Sequence, residues 1–123
     1  ALCVGTMPSN WNRIIQLANT YNNIFASIGM HPDEEAGDIN LQYESLVEYT
    51  HNPKVIAIGE TGLDYYRIKD QDMSWQHQRF ILHIEAAKKS KLPLIIHTRD
   101  SIHDTLKIMK ENNAIDAGAV MHC

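Results

Sequence analysis

Short apolar runs alternate with amphipathic stretches along this chain, and four of the runs end on an ionisable residue. Glu60 follows Val55-Ile56-Ala57-Ile58-Gly59, His97 follows Leu94-Ile95-Ile96, and His122 follows Gly118-Ala119-Val120-Met121. His31 closes a fourth run, Ile24–Met30, interrupted only by the short polar Ser27. An acid or imidazole at the end of a buried strand costs folding energy unless it finds a partner. In parallel α/β proteins the carboxyl ends of the strands are where sites are built. Two imidazoles and a carboxylate gathered there point to a divalent metal.

The rest of the chain supports strands joined by helices. Ala1–Gly5 reads as a strand, with Ser9 as the cap of a helix whose Trp11, Ile14, Ile15 and Ala18 share one face. Ile24–Gly29 is the second strand, and Pro32 starts a polar loop over Asp33–Asp38. Ile39, Tyr43, Leu46 and Val47 mark a helix that ends before Asn52-Pro53. Lys54–Ile58 is a third strand, followed by a glycine-punctuated loop from Gly59 to Tyr66. Met73, His77, Phe80, Ile84 and Ala87 line a long helix whose lysine-rich end suits a helix C-terminus. Pro93–Ile96 is the fourth strand. Asp100 or Ser101 caps a helix turning Ile102, Thr105, Leu106 and Met109 inward, and Gly118–Met121 is the fifth strand.

This alternation predicts an α/β fold with a parallel sheet and right-handed crossovers. The strand-end residues are spaced 29, 37 and 25 positions apart, against roughly 31 per unit in an eight-fold βα barrel. A doubly wound sheet has similar repeats but gathers its ligands at one switch point. Polar groups on four consecutive strands favour a partial TIM (β/α)8 barrel. With strand alternation, Ile56, Ile58 and Glu60 share a side, as do His97 with Ile95 and Arg99, and His122 with Val120. Such ligands suit zinc, manganese or iron, or magnesium with more carboxylates. His51, His77, His83 and His103 read as surface or helix-face residues.

The 123 residues suffice for one modest domain. The chain opens at Ala1 inside an apolar stretch and stops at Cys123, which reads as an internal piece of a longer protein. Its 11 basic and 15 acidic residues give a net charge of −4, so nucleic acid would not be gripped through backbone charge alone. Cys3 and Cys123 form no C-x-x-C pair, which argues against a zinc ribbon or redox motif. A bridge between them does not suit a cytoplasmic enzyme, the expected setting. No apolar run approaches the roughly 18 residues of a membrane span.

Four motifs occur in order: Gly29-Met30-His31-Pro32, Gly59-Glu60-Thr61-Gly62-Leu63-Asp64-Tyr65-Tyr66, Leu92 to Asp100 around His97-Thr98-Arg99, and Met121-His122-Cys123. Together they resemble the TatD family of metal-dependent deoxyribonucleases, over nearly the whole chain. The resemblance implies a TIM barrel with two divalent metal ions (magnesium, manganese or zinc) that hydrolyses phosphodiester bonds of DNA through an activated water. It implies Glu60, His97 and His122 as metal ligands and His31 as an active-site contact to substrate or water. Arg99 would pair with a phosphate oxygen, or else with Asp64 or Asp100, and Asp64 would orient a ligand from behind. The family's early His-x-His pair and late Asp are not in this sequence. The chain therefore corresponds to about strands two to six of the barrel, and by itself is expected to be inactive. No membrane and no obligate protein partner are implied. Two other functions fit the same residues: hydrolysis of an amide, ester or C–N bond, and a catalytically inactive barrel scaffold.

Overall fold

The computed structural model describes residues 1–34, 39–67 and 72–122; for residues 39–41 and 122 it describes the backbone alone. The elements are β1 (Leu2–Val4), α1 (Pro8–Thr20), β2 (Phe25–Ile28), α2 (Ile39–Tyr49), β3 (Val55–Asp64), α3 (Ser74–Ser90), β4 (Leu94–Arg99), α4 (Ile102–Glu111) and β5 (Ala119–His122). A short 3-10 turn, Ala114–Asp116, precedes β5. The expected loop over Asp33–Asp38 lies outside the described residues from position 35 onward, as does Cys123.

All four strand pairs are parallel, and each strand lies beside its predecessor in the order β1-β2-β3-β4-β5. Sequential parallel order is how a βα barrel grows, each crossover helix covering the strands it joins. One apolar cluster joins Trp11, Ile14 and Ala18 of α1 to Ala26 and Ile28 of β2, Leu46 of α2 and Val55 of β3. A second joins Ile58, Leu63, Leu94 and Ile96 of the sheet to Phe80 and Ile84 of α3 and Ile108 of α4. The other side of the sheet is less covered: Leu2, Val4, Ile56 and Val120 are all exposed. The sheet thus buries its helix-covered face and bares much of the other.

Several local expectations give way. Met7, ahead of Pro8, caps α1, so Ser9 lies inside the helix; proline suits the first helical turn, where no N–H partner is needed. The segment from Gly59 to Asp64 is strand, since β3 runs for ten residues. Its pairing shifts between Ile58 and Thr61 against β4, and again opposite Ala26 and Ser27 of β2. These bulges defeat simple alternation, which is why Ile56 is exposed while Ile58 is fully buried.

On α4, Thr105 and Ile108 are buried whereas Ile102 and Leu106 face outward. Thr105 Oγ1 meets Thr98 Oγ1 at 3.0 Å, which fixes the helix rotation about one position away from the apolar pattern. Ser101 occupies the cap position, but its hydroxyl donates to the Leu63 carbonyl, 2.9 Å away, and leaves the helix end uncapped by a side chain. Finally, His83 is fully buried in α3, where a surface or helix-face residue was expected; His77 meets Tyr65 Oη at 2.6 Å.

Candidate metal centre

Glycine makes the local path of β3 possible. Gly59 and Gly62 have φ of 147° and 135°, values that side-chain-bearing residues rarely adopt. A Cβ on Gly62 would lie 2.0 Å from the His97 carbonyl oxygen, and one on Gly59 would lie 2.5 Å from that of Ile95. Absence of side chains there lets β3 bulge and still press against β4. Glu60 sits in that bulge, and its N–H donates to the Gly5 carbonyl at 3.0 Å. The His31 N–H donates likewise to Thr6, at 2.9 Å. Both residues are therefore tied to the chain leaving β1.

The structure brings His31, Glu60 and His97 together, with one candidate donor atom from each lying within 4.8 Å of the others. Glu60 Oε2 is 3.5 Å from His31 Nε2 and 3.7 Å from His97 Nδ1, and the imidazole centres are 4.4 Å apart. The outward nitrogens are both engaged by carboxylates. His31 Nδ1 is 2.6 Å from Asp33 Oδ1, and His97 Nε2 is 2.9 Å from Asp64 Oδ2. In the tautomers that donate to these carboxylates, His31 Nε2 and His97 Nδ1 are acceptors on the side of Glu60. A cation placed among these three groups would accept a lone pair from each imidazole and balance the carboxylate charge.

A divalent ion fits this donor set. Ligand bonds of about 2.0–2.2 Å place neighbouring donors of one ion roughly 3–3.5 Å apart, close to the spacings here. Histidine held from behind by a carboxylate is the usual support of a metal-ligating imidazole. The Asp64 carboxyl illustrates the local field. Burial pushes its pKa up, but the Tyr66 N–H, the His97 ring and the Arg99 charge together hold it below the ordinary aspartate value.

The other anticipated residues fall nearby. Arg99 lies in register with Asp64 across β3 and β4, and its guanidinium lies over the Tyr66 ring, 3.6 Å from the centroid. His122 is in register with His97, which puts its backbone beside the centre; its side chain lies outside the described residues. Asp33 was not anticipated. The available signal was its position two residues after His31, just past Pro32, where a tight turn returns a carboxylate to the preceding imidazole.

A sequential parallel sheet with a His–Glu–His donor cluster at the strand ends defines a barrel-type α/β chain bearing a candidate divalent-metal centre. The sequence model of the TatD related DNase family matches residues 1–123. This chain belongs to that family. It is 40% identical over 121 residues to an uncharacterized metal-dependent hydrolase of Buchnera aphidicola subsp. Baizongia pistaciae, covering 98% of this chain and 45% of that protein. It is 34% identical over 122 residues to the uncharacterized metal-dependent hydrolase YcfH of Escherichia coli K12, covering 99% and 45%. The crystal structure of a TatD family hydrolase from Entamoeba histolytica superposes with a TM-score of 0.79 at 26% identity, covering 99% of this chain and 44% of that one. The chain thus spans less than half the length of these relatives.

Proposed function

We propose that this chain supplies part of the active site of a metal-dependent phosphodiesterase acting on DNA. The observation that carries the reading is the paired imidazoles, each held outward by a carboxylate and each facing Glu60. Glu60, His97 and His31 hold divalent metal, with His122 as a further ligand from the neighbouring strand. When bound, a pair of such ions lowers the pKa of water and offsets charge on the attacking and leaving oxygens of a phosphodiester. Asp33 and Asp64 keep the ligating imidazoles in one tautomer and one orientation. Arg99, whose guanidinium lies over the Tyr66 ring, reaches a non-bridging phosphate oxygen, a partner that suits its planar fork. A net charge of −4 makes metal and Arg99 the main attraction for a polyanion. The enzyme works in the cytoplasm.

The test uses a polypeptide that carries this chain at the full length of its relatives. Single-stranded DNA and small amides are assayed with magnesium or manganese, for wild type and Glu60→Gln. DNA cleavage that is metal-dependent and falls at least about a hundredfold in the variant supports the reading. Cleavage of amides alone, or unchanged DNA cleavage in the variant, overturns it.

A further inference from the structure

Helix α3 buries three polar side chains on one face, at positions i, i+3 and i+7. Gln76, Arg79 and His83 are 0%, 3% and 0% exposed, among Phe80, Leu82 and Ile84. Apolar residues there would spare the cost of burying polar groups, so the stripe needs a compensating set of partners. Each member finds them in the main chain at a strand end. Gln76 takes the Asp64 N–H onto Oε1 at 3.0 Å and donates Nε2 to the Asp64 carbonyl at 3.1 Å. Arg79 donates Nη1 to the Glu34 carbonyl at 2.6 Å and to that of His31 at 3.4 Å. His83 Nε2 accepts the Met30 N–H at 3.0 Å.

These bonds begin where the sheet ladders end. β2 stops at Ile28, and two residues later the Met30 N–H meets His83. The His83 tautomer is set by its other nitrogen: Nδ1 lies 2.8 Å from the Arg79 carbonyl, one helical turn back, and must donate to it. Nε2 is therefore an acceptor, as the Met30 N–H requires. Complete burial also keeps the ring neutral, pushing its pKa down to about 4.

We propose that the buried stripe of α3 positions the candidate metal centre: His83 and Arg79 clamp the backbone that carries His31, and Gln76 clamps that of Asp64. His83 is a positioning residue, since it touches Met30 and no donor atom of the centre. A helix is a rigid rod, so clamping both loops to one helix fixes the His31 and His97 rings relative to each other. The inference rests on His31, Glu60 and His97 being the metal site, but the clamp is observable without metal.

His83→Leu removes the acceptor while keeping an apolar side chain, and His83→Gln restores an oxygen near the position of Nε2. Two readouts apply to each variant: NMR cross-peaks between the His31 and His97 ring protons in metal-free protein, and Mn2+ affinity by calorimetry. The expected result is loss of the cross-peaks and about tenfold weaker Mn2+ binding in His83→Leu, with both recovered in His83→Gln. Wild-type cross-peaks in a folded His83→Leu protein overturn the proposal, as does a folded His83→Gln protein that recovers neither. If His83→Leu does not fold, Arg79→Met removes the donors to the His31 and Glu34 carbonyls and is read in the same way. Wild type that shows the cross-peaks yet binds no Mn2+ defeats the metal reading instead, and the cross-peaks still decide the clamp.

Discussion

His83 shows how much one buried side chain can couple to pH. Its folded pKa of about 4 lies below the ordinary 6.5, so between those values the unfolded chain binds a proton that the folded chain refuses. Stability from this group is complete above about pH 6.5 and is lost as pH falls toward 4. The difference between these two values corresponds to about 3 kcal/mol. Urea titrations at pH 7 and pH 5 should show the drop, and His83→Gln should reduce it; an equal drop in both proteins removes His83 as its source. The acid and imidazoles at strand ends were legible because ionisable residues stand out after apolar runs. The burial of His83 was not, because a histidine on a helix carries no mark of what will pack against it.

At the scale of the element, β3 carries the site through its irregularity. Gly62→Ala would drive a Cβ to 2.0 Å from the His97 carbonyl oxygen in a backbone of φ 135°. Relief requires β3 and β4 to separate beside Glu60 and His97. A loss of about 2–4 kcal/mol is expected, read from urea unfolding midpoints; a change under about 1 kcal/mol would mean that the strands yield freely. Apolar spacing located the strands and helices, but α4 shows its limit. Ile102 and Leu106 were the better inward candidates by hydropathy, yet the Thr98–Thr105 hydroxyl contact and the burial of Ile108 set the helix rotation. A polar contact between one element and the next leaves no periodic trace.

Across the whole molecule, the sheet is covered by helices on one side and bare over much of the other, where Leu2, Val4, Ile56 and Val120 are exposed. β1 and β5 are edge strands among the described residues, and exposed edges with apolar faces favour association. The 123-residue chain alone should therefore self-associate and bind a hydrophobic dye. Sedimentation across a dilution series checks the first point, and a monomer at all concentrations with no dye binding would contradict it. Among the described residues no helix is long and apolar enough to cross a membrane.

Hydropathy rhythm and strand-end chemistry by themselves determined the parallel α/β order, the barrel character and the placing of His31, Glu60, His97 and His122 directly after apolar runs, because these depend on local pattern. Only the tertiary structure decided that both imidazoles face Glu60, with Asp33 and Asp64 behind them. It alone showed α3 holding the two loops. Those facts depend on distances between residues far apart in the chain, which packing fixes and one-dimensional spacing does not record.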